Sequence, residues 1–473
     1  MVGAQGVHAR QRPLPARARR AVATPIRVVL GTLLAATSLA SLACERSTPP
    51  PNVVLISIDC LSQRQLKQAW SLGGAPSLAR LAKDSLVFHR GYAHAPWTTP
   101  SHMSILTGLY PSQHGRDIPY GLMIRFNDGE DRVPLFRTLP ERLGASGFET
   151  VAFVGLGPIS AEFGLGQGFS LYHESGRNNP EESDLPETQA RIREWFDRRQ
   201  QKPFLLFFHT YELHHPLAQA RRPFRRALDY VDDNVGSFLS RLRKRGLYDS
   251  SLIILTGDHG SRMIRKEQKC CVHGAGHYEE NLRVPFLVKL PAPGPTGPRD
   301  LLVRHVDILP TVLDLVGLPA ESYDGPGSSI LSRLARGATE KAAFSYSEAD
   351  GRCWSRRAVV EERYKYIYTP QDPWHRLLRH SPLFFDDLCR RHPACGEVPR
   401  EELYDLKVDP FEETNLLKSP LAKEAEVALE RLRIRLGMEM NLPVAYRRRL
   451  TRGSPRETDE SVREALRALG YIE

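Results

Sequence analysis

Three short apolar segments of the sequence each lead into side chains that can bind a cation or carry a proton. Asp59 follows residues 53–58, His214 follows residues 204–209, and Asp258 and His259 follow residues 252–257. Carboxylate oxygens and imidazole nitrogens together suit divalent metals such as zinc and manganese. The segments are short and rich in β-branched and aromatic residues, which is typical of buried strands. If the strands run parallel in one sheet, their carboxyl ends meet at the edge where such sheets bind ligands.

The segment PWTTPSHMSILTGLYPSQHG, residues 96–115, supplies a candidate nucleophile. Thr99 suits the N-cap of a helix and Pro100 suits its first position, so the pattern predicts a helix that begins there. Thr98 would then lie just ahead of a helix N-terminus, whose N–H groups favour an anionic group. A hydroxyl held there against a metal can attack a phosphoryl or sulfuryl centre. From the residues alone, the alternative that these threonines only cap a helix stays open.

Helical patterns separate the apolar segments along the first part of the chain. The longest one, residues 230–246, has apolar residues at helical spacing and ends at a glycine. Alternating strands and helices predict an α/β fold with a large, mostly parallel sheet sandwiched by helices.

The pattern changes at about residue 325. Alternating strands of antiparallel type follow, and then two amphipathic helical segments at 421–437 and 460–469. We therefore expect a catalytic domain at 52–325 and a smaller C-terminal α+β region with a helical tail at 326–473.

The composition excludes several classes of protein. Of 473 residues, 41% are hydrophobic and 25% are charged, which excludes a mainly disordered or collagen-like chain. The body of the chain has no apolar run long enough to cross a bilayer, which excludes a polytopic membrane protein. The formal net charge is +10, but six arginines precede residue 44 without any acid or lysine. Without those six the charge is +4, so we expect no nucleic-acid partner.

The N-terminus is typical of an export signal. A basic segment, residues 1–27, precedes the uncharged, apolar residues 28–43, and Cys44 follows at once. We therefore predict a signal peptide at 1–43 and a proline-rich linker at 44–51. Ala43–Cys44 is similar to a bacterial lipoprotein cleavage site, so Cys44 is a candidate lipid anchor; simple cleavage and an uncleaved anchor are the alternatives. The expected location is the periplasm, the membrane as a lipoprotein, or the extracellular space.

Several segments, in order along the chain, resemble the signature motifs of the sulfatase family within the alkaline phosphatase superfamily. They are residues 52–59, 98–102 with 107–115, 256–260, 273–280 with 283–285, and 402–406 with 409–410. The resemblance spans about residues 50–420. It implies the alkaline phosphatase/sulfatase-like α/β fold and an ester hydrolase that acts on anionic substrates.

The resemblance implies a metal-binding set and a nucleophile. Asp59, Asp258 and His259 correspond to the family's metal ligands, and Thr98 corresponds to the nucleophile that also contacts the metal. This set supplies about one metal site.

Three further histidines take positions that have catalytic roles in the family. His102 replaces the arginine that supports the nucleophile. His214 matches a histidine that contacts the transferred group or protonates the leaving oxygen. His273 occupies the place of a second such group, where many sulfatases have lysine.

The sequence departs from the family's pattern at three positions. Sulfatases oxidise a motif cysteine or serine to formylglycine, and Thr98 cannot form that aldehyde, so no formylglycine is expected. Cys60 stands where sulfatases commonly carry a second aspartate, and His259 replaces an asparagine. The loss of a hard oxygen ligand and the gain of an imidazole favour manganese, zinc or magnesium over calcium.

We therefore predict a metal-dependent hydrolase of sulfate or phosphate esters, and Thr98 favours phosphate because phosphothreonine can be hydrolysed in line by water. One alternative is a transferase that moves a phosphoryl-linked group onto a glycan or lipid. The other is a non-catalytic binding lipoprotein that keeps the sulfatase fold.

Overall fold

The computed structural model of the chain describes residues 49–115, 136–155, 157–176, 185–214, 224–261, 276–319, 323–337, 344–350, 355–370 and 399–441. The predicted signal peptide, the candidate lipid anchor Cys44, His273 and the predicted helical segment 460–469 lie outside these residues. The described residues from Pro50 onward belong to one compact unit.

A twisted sheet of eight strands forms the centre of this unit. Its strands are β1 (Asn52–Ile58), β2 (Leu86–Tyr92), β3 (Glu149–Gly155), β4 (Leu171–Ser175), β5 (Phe204–Thr210), β6 (Ser251–Gly257), β7 (Arg283–Lys289) and β8 (Gly297–Arg304). Their order across the sheet is β4-β3-β5-β1-β6-β7-β2-β8. Strand β1 pairs in parallel with β5 on one side and β6 on the other, so the three strands that precede the candidate site residues are neighbours.

The direction of β7 differs from the prediction. The apolar run at residues 285–290 has the composition of a buried parallel strand, but β7 runs antiparallel to both β6 and β2. The chain leaves β6 at the carboxyl edge of the sheet and enters β7 from that same edge. Because it does not cross back to the opposite edge before β7, the two strands are antiparallel. The other seven strands share one direction, and the predicted mostly parallel sheet is confirmed.

Helices cover both faces of this sheet. They are α1 (Gln63–Ser71), α2 (Pro76–Lys83), α3 (Thr98–Thr107), α4 (Pro111–His114), α5 (Leu139–Ala145), α6 (Leu185–Arg198), α7 (Phe224–Lys244), α8 (Glu279–Leu282), α9 (Ile308–Leu315) and α10 (Ile330–Ala335). Alternate residues of β1 enter two different cores: Val53 and Leu55 pack with α3, α5 and α9, whereas Val54 and Ile56 pack with α1, α2, α6 and α7. This period-2 division explains why the strands are apolar throughout.

A second, antiparallel sheet follows along the chain. It contains β9 (Ser345–Asp350), β10 (Ser355–Val360), β11 (Tyr364–Tyr368) and β12 (Glu401–Asp405), in the order β12-β11-β10-β9. The C-terminal helix α11 (Lys423–Met440) packs Leu429, Leu432 and Leu436 against it. The predicted fold class, a large α/β layer structure with a smaller α+β region, is confirmed, and the boundary at residue 325/326 stays a prediction.

None of the helices within the described residues combines the length and apolarity needed to span a membrane.

Candidate active site

Two neighbouring strands deliver carboxylates to the same point. Ile58 of β1 lies opposite Gly257 of β6, so Asp59 and Asp258, the next residues of each chain segment, emerge side by side at the carboxyl edge. Glycine is required at 257 because a Cβ there would lie 2.3 Å from the Leu61 carbonyl oxygen. The close approach of the two segments follows from this missing side chain.

Helix α3 brings the hydroxyl of Thr98 to the two carboxylates. The helix begins at Thr98 and its N-cap is Trp97, so the predicted N-cap at Thr99 is wrong. The Thr99 hydroxyl is engaged elsewhere, since it donates a hydrogen bond to the Pro158 carbonyl at 2.5 Å. Thr98 therefore lies in the first turn itself, not just ahead of it.

The four residues of the predicted metal set lie together around the His259 ring. Nε2 of His259 lies 3.3 Å from Thr98 Oγ1, 3.4 Å from Asp258 Oδ2 and 3.6 Å from Asp59 Oδ1. The Thr98 hydroxyl also donates to Asp59 Oδ2 at 3.5 Å. The four predicted side chains therefore lie together, and their roles as metal ligands and nucleophile stay predictions.

The two carboxyl groups of this cluster are buried, and part of their hydrogen-bonding capacity is unused. Asp59 and Asp258 are almost completely buried, and Asp59 Oδ1 and Asp258 Oδ2 have no hydrogen-bond partner among the described residues. Burial raises the pKa of Asp59 well above its usual value, and the charge of Asp258 raises it further. Nδ1 of His259 donates to the Gly260 carbonyl at 2.9 Å, which turns Nε2 towards the two carboxylates. Such converging acceptors fit a divalent cation.

His102 holds the backbone of the candidate nucleophile. Its Nδ1 lies 2.8 Å from the Thr98 carbonyl oxygen, so Nδ1 carries the proton and donates. Nε2 then accepts from the Ser57 hydroxyl at 2.8 Å. Burial lowers the pKa of His102, which keeps the ring neutral. The His102 imidazole therefore links Ser57 of β1 to the first turn of α3, which is compatible with the predicted role of supporting the nucleophile.

A second group of buried residues lies behind His102. His209, at the end of β5, packs edge-on against the His102 ring with centroids 4.9 Å apart. Its two ring nitrogens have no hydrogen-bond partner among the described residues, and burial lowers its pKa well below the usual value. Atoms of His102, His209 and Asp258 lie close enough to share an ion. Because both nitrogens of His102 are already hydrogen-bonded, we assign no second metal to this group.

The sequence pattern did not indicate Ser57, and it did not place His209 among the predicted site residues. The available signal was a polar residue in each of two otherwise apolar strands, at positions that the parallel register places opposite each other. Such residues lie on the same face of the sheet and contact the same helix.

Cys60 adopts a backbone conformation that is rare for a residue with a side chain. Its φ is 59°, in the left-handed region. Its N–H donates to Asp258 Oδ1 at 3.1 Å, and the N–H of His259 donates to the same oxygen at 2.7 Å. These two bonds fix one oxygen of Asp258 and leave the other for the cluster.

Of the two remaining predicted residues, the structure describes His214 but not His273. His214 is fully buried, four residues beyond the end of β5, and its N–H donates to the Tyr211 carbonyl. His273 lies outside the described residues, so its predicted role stays a prediction.

Comparisons with known proteins agree with this geometry. The sequence profile of the Sulfatase family matches residues 51–318. Arylsulfatase A of Homo sapiens is 27% identical over 451 residues, which cover 81% of this chain and 87% of that protein. Choline-sulfatase of Rhizobium meliloti (strain 1021) is 26% identical over 208 residues, 43% of this chain and 34% of that protein.

The fold also matches solved structures. The structure of BT4656 in complex with its substrate D-glucosamine-2-N,6-O-disulfate has a TM-score of 0.61 and 18% identity, and the match covers 84% of this chain and all of that one. Since the family profile extends over more than half of the sequence and the same motifs build the buried cluster, the chain belongs to the sulfatase family and is a hydrolase of that family.

Proposed function

We propose that this chain is a metal-dependent hydrolase of anionic esters, that Thr98 is its nucleophile, and that phosphate esters are its preferred substrates. The observation that carries the proposal is the convergence of Thr98 Oγ1 and two buried carboxylate oxygens within 3.6 Å of His259 Nε2. Asp59, Asp258, His259 and Thr98 would hold the cation, which supplies charge neutralisation and polarises the hydroxyl and the ester oxygens when bound.

The Thr98 hydroxyl is positioned to lose its proton as it attacks. It donates to Asp59 Oδ2, so the proton can pass along this bond while Oγ1 forms a bond to phosphorus. The bond from phosphorus to the ester oxygen breaks in the same step, and the leaving alcohol takes a proton from His214 or His273. Water then attacks phosphorus and gives one proton to that histidine, the bond from phosphorus to Oγ1 breaks as Asp59 returns its proton to Oγ1, and phosphate and the Thr98 hydroxyl are released.

Other residues orient this reaction. His102 donates to the Thr98 carbonyl and so helps to hold the first turn of α3 beside the carboxylates. We assign to His214 and His273 the contact with the transferred group and the protonation of the leaving oxygen, as their motif positions in the family imply.

The methyl group of Thr98 favours phosphate over sulfate. A formylglycine hydrate expels sulfate by re-forming its carbonyl, and an intact threonine has no such exit. A sulfated Thr98 would depend on direct attack by water on sulfur or carbon. A phosphorylated Thr98 can be cleared by the in-line displacement that phosphoryl transfer uses.

A substrate panel tests the proposal. Purified protein is assayed with p-nitrophenyl phosphate, bis(p-nitrophenyl) phosphate and p-nitrophenyl sulfate in the presence of manganese, zinc, magnesium or calcium. We expect hydrolysis of a phosphate substrate, a loss of about 10³-fold or more in kcat for Thr98→Ala, and measurable activity for Thr98→Ser. Metal content, measured by elemental analysis, should stay near the wild-type level in both variants.

The same panel separates the alternatives. Turnover that rises with an added alcohol and yields a phosphorylated alcohol would indicate the transferase instead. Equal rates for wild type and Thr98→Ala would contradict the nucleophile, and no turnover with any ester despite bound metal would favour the binding lipoprotein.

We also propose that the chain is exported and held at the membrane or in the periplasm. The basic and then apolar residues 1–43 ahead of Cys44 support this location. Mass spectrometry of the mature N-terminus from a bacterial host distinguishes a lipid-modified Cys44 from a simply cleaved chain.

A further inference from the structure

Cys60 places a sulfur atom among the groups of the candidate metal site. We infer that the Cys60 thiolate is a direct metal ligand and that the site therefore binds a thiophilic divalent ion, zinc above all. The inference rests on the metal site of the proposed function. Its geometric basis is that Cys60 Sγ, a carboxylate oxygen of Asp59 and a ring nitrogen of His259 all lie within 4.8 Å of one another.

The backbone fixes Cys60 in this position. Its left-handed φ of 59° is a conformation that persists in non-glycine residues only where the surroundings hold it. The hydrogen bond from its N–H to Asp258 Oδ1 supplies that restraint. Cys60 thus follows one proposed ligand in sequence and is hydrogen-bonded to another.

The carboxylates give an independent indication that a cation belongs here. Asp59 Oδ1 and Asp258 Oδ2 are buried and have no hydrogen-bond partner among the described residues, and both lie within 3.6 Å of His259 Nε2. Buried charges of one sign persist when a metal or an opposite charge balances them. Cys60 is fully buried, and its Sγ lies within 4.8 Å of the ligand atoms of Asp59 and His259 in that same group.

The identity of the donors selects the metal. Oxygen, nitrogen and sulfur donors together are typical of zinc sites, whereas calcium and magnesium take oxygen ligands. Where the family's pattern has a second aspartate, this chain has a softer donor, so its metal preference should be shifted away from calcium.

Cobalt substitution tests the inference without relying on activity. Co²⁺ bound to a thiolate gives a near-ultraviolet sulfur-to-cobalt charge-transfer band, and Co²⁺ bound only to oxygen and nitrogen does not. We expect the full-length protein to develop this band until one equivalent of Co²⁺ is bound, and Cys60→Ser and Cys60→Ala to lack it. A control variant keeps Cys60 and replaces the other six cysteines by serine, and it should retain the band; these are Cys44, Cys270, Cys271, Cys353, Cys389 and Cys395.

Zinc affinity provides a second readout. We expect Cys60→Ser to weaken Zn²⁺ binding by more than about 100-fold, beyond what loss of an outer contact to a ligand costs. Cys60→Asp, which restores the family's carboxylate, should regain tight binding with a preference moved towards manganese or calcium. Circular dichroism confirms that each variant is folded.

Two outcomes separate this inference from the proposed function. A wild-type cobalt spectrum without the band, together with Thr98-dependent phosphate hydrolysis, would overturn the Cys60 ligand and leave the hydrolase intact. A band that depends on Cys60, in a protein that hydrolyses no ester, would support the ligand and contradict the proposed function.

Discussion

Thr98 carries a β-methyl group that a cysteine or serine nucleophile lacks, and the residues around it are arranged to use its hydroxyl unmodified. The Thr98 hydroxyl donates to Asp59, the Thr98 carbonyl accepts from His102, and Nε2 of His259 lies 3.3 Å from the hydroxyl oxygen. All these groups are buried, so their interactions are stronger than the same contacts would be in water.

His102 offers a test of the orienting role. Replacing His102 by alanine removes the donor that holds the Thr98 carbonyl, so we expect kcat to fall by about 10–100-fold with metal content unchanged. His102→Asn should recover part of the rate, because an amide can donate to the same carbonyl. Steady-state kinetics with elemental analysis check this; equal rates for alanine and wild type, or loss of the metal, would contradict the role.

The sequence placed Asp59 and the pair Asp258-His259 after apolar strands, and in the structure they follow β1 and β6. Their role as metal ligands stays a prediction. The sequence did not predict the contribution of Ser57 or the conformation of Cys60. Which face a strand residue occupies depends on the register of its neighbours, and a left-handed φ in a cysteine has no local sequence signal.

At the scale of elements, the small sheet is joined to the site through helix α8. The N–H of Gly260 donates to the Asn281 carbonyl at 2.7 Å, so α8 supports the turn that carries Asp258 and His259. Glu279 of α8 lies 3.2 Å from Nζ of Lys365 on β11, and Lys365 also pairs with Glu412 at 3.0 Å. This buried group ties the two sheets together on the side of the site.

Glu412 makes this connection sensitive to pH. Burial raises the pKa of Glu412 from 4.5 to about 7, assisted by the charge of Glu279. Because the folded protein keeps this proton to a higher pH than the unfolded chain, the stabilisation is complete below pH 4.5 and is lost as pH rises through about 7. We expect Glu412→Gln to reduce the fall in unfolding free energy between pH 5 and pH 8 by about 1–3 kcal/mol.

Urea denaturation at a series of pH values measures this difference. Glu413→Gln, at the exposed neighbouring position, is the matched control and should retain the wild-type profile. Identical profiles for Glu412→Gln and wild type would show that Glu412 does not titrate in this range.

The sequence pattern did not predict strands β2 and β8, which mix polar and apolar residues. Strand β2 contains His89 and Arg90 beside an irregularity in its pairing, and the first half of β8 is polar. Both lie towards one edge of the sheet, where one face of a strand need not be apolar. The reversed direction of β7 depends on tertiary pairing, so a run of apolar residues cannot encode it.

At the scale of the whole molecule, the buried carboxylates of the site lower the stability of the folded chain. Two carboxylates are buried beside each other between the two helical layers, and neither has a buried cation side chain within the cluster described above. A bound divalent ion would balance them, and any ligand that binds only the folded state stabilises it.

Chelation should therefore lower the thermal stability of the entire chain. We expect the Tm to fall by roughly 3–8 °C on removal of the metal and to recover when it is restored. Asp258→Ala should show no response to added metal, whereas Asp197→Asn, in an exposed pair with Arg245, should respond as the wild type does. Differential scanning fluorimetry measures both; a metal response that survives in Asp258→Ala would contradict the ligand set.

The most direct measurement is the chemical identity of the intermediate. Turnover of a phosphate ester is stopped with acid, the protein is digested, and the peptide that contains Thr98 is analysed by tandem mass spectrometry. We predict a phosphate group on Thr98 in wild type and none on the corresponding peptide of Thr98→Ala. An active enzyme that carries its phosphate on another residue, or a Thr98→Ala variant that turns over at the wild-type rate, would contradict it.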